Sequence, residues 1–232
     1  MPKKLKLKAI TFDLDQTLID FMDFKRRSTD AAAKAMLKAG FKATVKRIGK
    51  TLFDFYLDYG LESDDVLTKF LHHHEQYNEK ILAAGINAYL KTKYTVLKSY
   101  PKVRPILNQL RKNGYKLAII TDAPRLKAFM RLDEMKITDL FDVVVGYEDT
   151  NRHKPSKLPF RKALKLLNVK PSEALHVGDW KERDILGAKN MGMLSCFARY
   201  GAEQKNKKIW ADYYIDKFED IIKIVKIIEE IR

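Results

Sequence analysis

The chain has 232 residues, 46% of them apolar and 32% charged, and a formal net charge of +15. This composition excludes a disordered chain and fits a globular protein long enough for a core domain with an insertion, or for two small domains. No stretch approaches the about 20 apolar residues of a membrane-spanning helix, so no membrane partner is expected. The lysines are dispersed and not interleaved with aromatic residues in one patch, which favours a solvated basic surface over a nucleic-acid partner.

Two further features of the sequence indicate the cellular compartment. The only cysteine is Cys196, which excludes an intramolecular disulfide and favours a reducing compartment. The N-terminus is basic, but the apolar run that follows it is too short for a signal peptide. We therefore expect a cytoplasmic protein. Its oligomeric state is not indicated by any pattern in the sequence.

The first part of the chain combines one strand with a long helical stretch. A short apolar run, Lys8 to Leu14, predicts a buried strand. From Leu18 to about Lys98 helical spacing dominates, and Gly40 and Gly60 mark the ends of two helices. The helix candidates lie at about 31–39, 52–57, 66–71 and 86–97. This stretch predicts an all-helical domain inserted after the first strand.

From Tyr100 onward helices and strands alternate. Helices are predicted at 103–113, 124–135, 158–167, 185–191 and 218–231, and strands at 115–121, 141–145, 174–177, 193–197 and 213–215. Such alternation predicts an α/β fold with a doubly wound, Rossmann-like parallel sheet that is covered on both faces. We expect this core to comprise residues 1–17 and 99–232, with the helical insertion at 18–98.

Ligands of such sheets bind beyond the carboxyl ends of the strands, where the first candidates are Asp13 and Asp15. Side chains at positions i and i+2 of a strand point the same way, so these two carboxylates are expected to lie close together. Two adjacent carboxylates repel each other and need a cation or a shared proton. A site built from hard oxygen ligands suits Mg²⁺.

Three further groups follow later strands. Thr121, with Asp122 beside it, offers a hydroxyl that can donate to an anion, and Lys154 offers a positive charge for a phosphoryl oxygen. Asp179, after the turn residue Gly178, and Asp184 can complete a metal site. Each group alone is also typical of a turn or a helix cap. Their succession, with both anion donors and metal-type acids, indicates a reaction centre.

In this order the motifs resemble those of the haloacid dehalogenase (HAD) superfamily, in the branch with a helical cap inserted after the first strand. The first motif of that family is matched by Asp13-Leu14-Asp15-Gln16-Thr17, the second by Thr121, and the third by Lys154 before Pro155. The fourth is matched by Gly178-Asp179 with the later Asp184. The resemblance covers the whole chain. It implies a cap domain that closes over the core and selects the substrate.

The resemblance also implies a catalytic role for the first two acids. Asp13 is expected to be the nucleophile that forms an aspartyl-phosphate. Asp15 is expected to protonate the leaving oxygen and later to activate water.

The remaining residues are implied to bind the metal and the phosphoryl group. Mg²⁺ is expected on Asp13, on the backbone carbonyl of Asp15 and on Asp179, with Asp184 supporting that shell and pairing with Lys154. Thr121, Asp122 and Lys154 are expected to bind the phosphoryl oxygens. Many relatives have asparagine at the position of Asp122. We expect its side chain to turn away as a cap of the helix that starts near Pro124, so that only its backbone N–H faces the substrate. The alternative is that the carboxylate lowers the affinity for highly charged substrates.

The expected function is that of an Mg²⁺-dependent phosphatase, a phosphoric monoester hydrolase acting on a small phosphorylated metabolite. A sugar phosphomutase shares all four motifs and remains an alternative. A non-catalytic protein that binds anions or nucleic acid on the same scaffold is the other alternative. The sequence does not choose among sugar phosphates, phosphoglycolate and nucleotides as substrates.

Overall fold

The computed structural model describes residues 6–43, 47–203, 208 and 210–231, so the first five residues of the basic N-terminus lie outside it. The chain divides into two compact units, Met1–Asp20 with Lys98–Arg232, and Phe21–Leu97. We call the first the core unit and the second the helical unit. The sequence predicted an insertion at 18–98, and its role as a cap stays a prediction.

Within the described residues, the core unit contains one six-stranded sheet in which all neighbouring strands are parallel. Its strands are β1 (Ala9–Phe12), β2 (Lys116–Ile120), β3 (Val143–Val145), β4 (Ala174–Gly178), β5 (Leu194–Ala198) and β6 (Tyr213–Ile215). Their spatial order is β3-β2-β1-β4-β5-β6, which is that of a doubly wound Rossmann-like sheet. The predicted fold class is therefore confirmed.

The helices of the described residues are α1 (Phe21–Lys38), α2 (Ile48–Tyr59), α3 (Val66–His73), α4 (Glu79–Val96), α5 (Val103–Lys112), α6 (Arg125–Glu134), α7 (Lys157–Leu167), α8 (Leu186–Met191) and α9 (Ile221–Ile231). A single π-helical turn, Lys181–Ile185, precedes α8, and a short 3₁₀ turn, Phe218–Asp220, precedes α9. None of the described helices combines the length and apolar character that a membrane span requires.

Helices cover both faces of the sheet. Apolar residues of α5, α6 and α9 pack against one face together with Ile10 and Phe12 of β1. Those of α7 and α8 pack against the other face together with Ala9 and Ala118. Since successive strand residues point to opposite faces, a strand buried on both sides must be apolar at nearly every position. This explains why β1 and β2 read as continuous apolar runs in the sequence.

The helical unit has its own apolar core. It is formed by buried residues of α1 to α4 and of the segments between them: Ala32, Ala33, Met36, Phe41, Ile48, Leu52, Tyr56, Val66, Leu67, Phe70, Leu71 and Ile81. Its first helix begins at Phe21 and not at Ala31 as predicted, because Phe21, Phe24 and Ser28 extend the buried face by a helical period. Its last helix begins at Glu79 and not at Ile86, since Asn78 caps it.

Candidate active site

The candidate site lies at the point of the sheet where the order of strands reverses, between β1 and β4. Asp13 directly follows β1 and Asp179 directly follows β4, and the Asp13 backbone N–H donates to the carbonyl of Val177 at 2.9 Å. Loops leave neighbouring strands in opposite directions at such a switch point, which opens a crevice at the carboxyl edge of the sheet. The topology thus brings residues about 165 positions apart to one place.

Three buried carboxylates meet in this crevice. Asp13, Asp179 and Asp184 each offer an oxygen, and these three oxygens lie within 4.8 Å of one another. The Thr17 hydroxyl donates to Asp179 Oδ1 at 3.2 Å, which orients that side chain. The sequence had predicted Asp13, Asp15 and Asp179 as the metal set with Asp184 in support. The structure brings the side chain of Asp184 into the acidic cluster as well.

Lys154 lies at the centre of the cluster. Its buried ammonium donates to Asp13 Oδ1 at 2.7 Å, to Asp184 Oδ1 at 2.6 Å and to the carbonyl of Ile120 at 3.0 Å. Burial alone would lower the pKa of Lys154, but the carboxylates of Asp13 and Asp184 outweigh burial and raise this pKa above its usual range. Lys154 is therefore a fixed positive charge beside Asp13.

The pKa values of the three acids shift in different directions in this environment. Burial and the neighbouring carboxylates raise the pKa values of Asp13 and Asp179 well above their usual range, against the opposing effect of Lys154. Burial also acts to raise the pKa of Asp184, but Lys154 and His176 outweigh it and lower this pKa. Two of the three acids contact one ammonium, and a divalent cation with oxygen ligands fits the remaining negative charge.

The side chain of Asp15 has a different partner, which sequence reasoning missed. Arg131 of α6 is 3% exposed, and its Nη1 donates to Asp15 Oδ1 at 3.0 Å and to Oδ2 at 2.7 Å. Arg131 shares the buried face of α6 with Ala128 and Leu132. A charged residue inside an apolar helical stripe is the signal that could have identified it, because such a charge needs a buried partner.

The turn that carries Asp15 is supported by the loop after β5. The Tyr200 hydroxyl donates to the carbonyl of Thr17 at 2.6 Å, and Gln16 Nε2 donates to the carbonyl of Gly201 at 3.3 Å. A Cβ at Gly201 would lie only 1.6 Å from the carbonyl oxygen of Gln16. Only glycine lets the two backbones approach this closely. This contact determines where the backbone beside Asp15 lies.

Thr121 stands at the end of β2, as the sequence predicted. Its backbone N–H donates to the carbonyl of Val145, and its hydroxyl oxygen accepts from the Ala123 N–H at 3.1 Å. The side chain is buried, and this hydrogen bond fixes its rotamer at the carboxyl edge of the sheet. A hydroxyl that accepts through its oxygen still has its own proton to donate. Its contact with a phosphoryl group stays a prediction.

The expected capping role of Asp122 was wrong. Pro124 holds the N-cap position of α6, and the backbone N–H of Arg125 in the first turn donates to Glu148 Oε2 at 2.8 Å, not to Asp122. Asp122 Oδ1 instead accepts from the backbone N–H of Lys154 at 2.9 Å, and Oδ2 accepts from Arg183 Nη1 at 3.0 Å. The carboxylate therefore holds the loop of Lys154 in place, because a nearby cation and a backbone donor compensate its charge better than the end of α6 would.

Comparisons with known proteins agree on one family. The family of haloacid dehalogenase-like hydrolases matches residues 10–198. The chain is 32% identical to the glyceraldehyde 3-phosphate phosphatase of Pyrococcus furiosus, over 95% of this chain and 94% of the relative. It is 32% identical to a putative pyrophosphatase PpaX of Caldanaerobacter subterraneus, over 96% of each chain. A solved HAD phosphatase from Thermococcus onnurineus superposes with a TM-score of 0.67 at 27% identity, covering 94% of this chain and 98% of the other.

Proposed function

Because the chain belongs to the haloacid dehalogenase-like hydrolases, we propose that it is an Mg²⁺-dependent enzyme that hydrolyses a small phosphorylated metabolite through an aspartyl-phosphate on Asp13. The chain is a phosphatase of this superfamily. We propose in addition the metal, the covalent intermediate, the roles of individual residues and the substrate class. The contact between Lys154 and Asp13 at the switch point is the observation that carries it.

In the first half-reaction an Asp13 oxygen attacks phosphorus, and the bond from phosphorus to the leaving oxygen breaks. Lys154 and the Thr121 hydroxyl hold the phosphoryl oxygens and stabilise the charge that shifts among them. Asp15 gives a proton to the leaving oxygen, which departs as an alcohol from a phosphate ester or as phosphate from pyrophosphate. Support comes from the placement of Lys154, whose Nζ lies 2.7 Å from Asp13 Oδ1 and is therefore within reach of a phosphoryl group on that carboxylate.

In the second half-reaction water attacks the phosphorus of the aspartyl-phosphate, and Asp15 takes the proton of that water. The bond from phosphorus to the Asp13 oxygen breaks, which releases inorganic phosphate and restores the carboxylate. Asp13, Asp179 and the backbone carbonyl of Asp15 would hold Mg²⁺, which would supply positive charge to neutralise the phosphoryl group. Asp184 supports this arrangement through its ion pair with Lys154.

The names of the relatives support a choice of substrate class. Glyceraldehyde 3-phosphate is the first candidate, since several full-length relatives are glyceraldehyde 3-phosphate phosphatases, and pyrophosphate is the second. Both are small and highly charged. The formal net charge of +15 favours the encounter with any such anion at low ionic strength.

The decisive experiment measures phosphate release from glyceraldehyde 3-phosphate, pyrophosphate, p-nitrophenyl phosphate and a panel of sugar phosphates and nucleotides, with Mg²⁺ and with EDTA. We expect release to require Mg²⁺ and to fall below detection in Asp13→Asn, a nearly isosteric change that removes the nucleophile. Asp133→Asn is the matched control, because Asp133 is 79% exposed and its ion pair with Lys136 lies on the surface. A wild-type rate in Asp13→Asn would refute the nucleophile assignment.

A pulse with ³²P-labelled substrate tests the intermediate separately. The proposal requires label that stays on the acid-quenched protein, is released by hydroxylamine as expected for an acyl phosphate, and is absent from Asp13→Asn.

If no ester releases phosphate, ³¹P NMR of sugar phosphates decides whether the phosphoryl group changes position, as in the mutase alternative. If it neither moves nor leaves, the chain only binds anions.

A further inference from the structure

A buried histidine lies directly beneath the acidic cluster and has no role in the chemistry above. His176 is fully buried in β4, and its register partner in β1 is Thr11, which is also fully buried. The Thr11 Oγ1 and His176 Nδ1 lie 2.8 Å apart, and His176 Nε2 lies 3.3 Å from Asp184 Oδ1. The ring therefore bridges a strand hydroxyl and a carboxylate of the site.

Hydrogen-bonding chemistry assigns the protons along this bridge. An ionised carboxylate only accepts, so the nitrogen that faces Asp184 must be the one that carries hydrogen. A neutral imidazole has one N–H, so Nδ1 is then an acceptor and Thr11 is its donor. The Thr11 hydroxyl also lies 3.4 Å from the carbonyl of Leu175, and Nδ1 at 2.8 Å is the nearer of its two acceptors. Burial away from water favours this neutral ring.

The surroundings of the ring restrict it to this orientation. The ring of Phe160 from α7 packs edge-on against His176, with centroids 5.0 Å apart and planes at 81°. The other oxygen of Asp184 accepts from the Trp180 N–H at 3.0 Å, while Oδ1 receives both Lys154 and His176. Each hydrogen bond of Asp184 thus comes from a different segment, which fixes the position of the carboxylate.

We propose that His176 and Thr11 are positioning residues for the phosphatase reaction: Thr11 holds His176 as the Nε2–H tautomer, and His176 then holds Asp184 where it keeps Lys154 against Asp13. The chain of contacts runs from Thr11 through His176, Asp184 and Lys154 to Asp13, and its first two members sit on adjacent central strands. Rigid strands locate such a network more accurately than loops do. The expected loss of activity rests on the proposed function, whereas the tautomer of His176 does not.

The tautomer is tested without activity and without metal. Two-bond ¹⁵N–¹H couplings of the imidazole rings distinguish the Nε2–H, Nδ1–H and doubly protonated forms, and His176→Gln identifies the His176 signals among the five histidines. We expect the neutral Nε2–H form near pH 7 in the metal-free protein. In Thr11→Val the Nδ1 resonance is expected to shift, because it loses its donor. A wild-type ring in the Nδ1–H or doubly protonated form would overturn the proposal.

The positioning role is tested with a matched pair of substitutions at one site. Gln places a side-chain N–H near the location of Nε2, whereas Leu fills similar space without a donor. We expect His176→Leu to lower kcat and kcat/KM together by about 10- to 100-fold and His176→Gln to restore most of the loss, as is typical when the partner of a site carboxylate is removed or replaced. Thr11→Ser is expected to retain activity that Thr11→Val loses.

Stability and metal binding are measured on the same variants to separate positioning from folding. The Mg²⁺ concentration that half-saturates the rise in Tm is expected to increase in His176→Leu and to stay near the wild-type value in His176→Gln. Equal kinetic losses in His176→Leu and His176→Gln, with Mg²⁺ midpoints unchanged in both, would overturn the positioning role. If no variant or wild type is active, the proposed function fails, and the NMR result still decides the tautomer.

Discussion

At the scale of single residues, Arg131 connects α6 to the proposed acid–base residue. One nitrogen of its guanidinium donates to both oxygens of Asp15, and both groups are largely removed from water. A charge-assisted contact of this kind is stronger than a neutral hydrogen bond and fixes the rotamer of the carboxylate. The orientation of Asp15 therefore depends on a residue 116 positions away in the sequence.

We expect Arg131→Met to lower kcat by at least about tenfold, since general acid–base catalysis contributes about 10²- to 10⁴-fold and depends on the position of the group. Steady-state kinetics on the best substrate of the panel measures this effect. Arg125→Met is the matched control on the same helix, because Arg125 is half-exposed and pairs with Asp149. An unchanged kcat in Arg131→Met, with Asp15→Asn inactive, would show that Asp15 works without this contact.

Asp122 illustrates why a local pattern can mislead at this scale. Acid residues before a helix are common caps, and the sequence Thr121-Asp122 before Pro124 fits that pattern. The carboxylate is instead held by Lys154 and Arg183, which are 32 and 61 positions away. Partners this distant in sequence cannot be predicted from the residues next to Asp122. Their attraction in the folded chain decides the rotamer of the Asp122 side chain.

At the scale of elements, the ends of strands were easier to predict than the starts of helices. A buried strand is marked by an uninterrupted apolar run, and the polar residue that ends the run is the one that reaches the crevice. Asp13, Thr121 and Asp179 follow β1, β2 and β4 in this way. Helix α1 was predicted too short, because its first turns hold phenylalanine and charged residues whose spacing is less regular than that of its alanines.

The cap of α4 provides a test at the same scale. The side chain of Asn78 accepts from the backbone N–H groups of Lys80 at 2.9 Å and Ile81 at 3.3 Å, whereas α2 and α3 have no side-chain cap. We expect Asn78→Ala to lower the free energy of unfolding of the helical unit by about 1 kcal/mol, because these N–H groups lose their acceptor. Amide hydrogen exchange along α4 measures the change.

Asn78→Asp is the control for this prediction, since aspartate caps helices about as well as asparagine. Its α4 amides are expected to exchange at nearly the wild-type rates. If the α4 amides exchange as fast in Asn78→Asp as in Asn78→Ala, the prediction is wrong. The side-chain NH₂ group of Asn78, and not its oxygen, would then stabilise the start of the helix.

At the scale of the whole molecule, the acidic cluster links metal binding to stability. The carboxylates of Asp13, Asp179 and Asp184 converge only in the folded core unit, so a cation held by Asp13 and Asp179 beside Asp184 binds the native state alone. Such binding stabilises by about 2.7 kcal/mol at a concentration 100-fold above Kd. For a chain of this size we expect Tm to rise by about 5–10 °C on saturation with Mg²⁺ and to fall back on addition of EDTA.

Differential scanning calorimetry of wild type and Asp179→Ala checks this expectation. The variant keeps Asp13 and Asp184 but loses one predicted ligand, so its Tm is expected to respond to Mg²⁺ only at much higher concentrations. The same rise in Tm for both proteins at the same Mg²⁺ concentrations would remove Asp179 from the metal site. Na⁺ at matched ionic strength controls for screening of the acids.

The sequence by itself determined the α/β fold class, the strand ends and the residue types of the site, because apolar periodicity and the order of strands and helices are local properties of the chain. The sequence also predicted the pairing of Asp184 with Lys154, whereas tertiary structure alone decided three further contacts. Arg131 reaches Asp15, Asp122 turns to the loop of Lys154, and His176 lies between Thr11 and Asp184. Each of these contacts joins residues from different elements, and the attraction of buried charges and donors that selects them exists only after the sheet has formed.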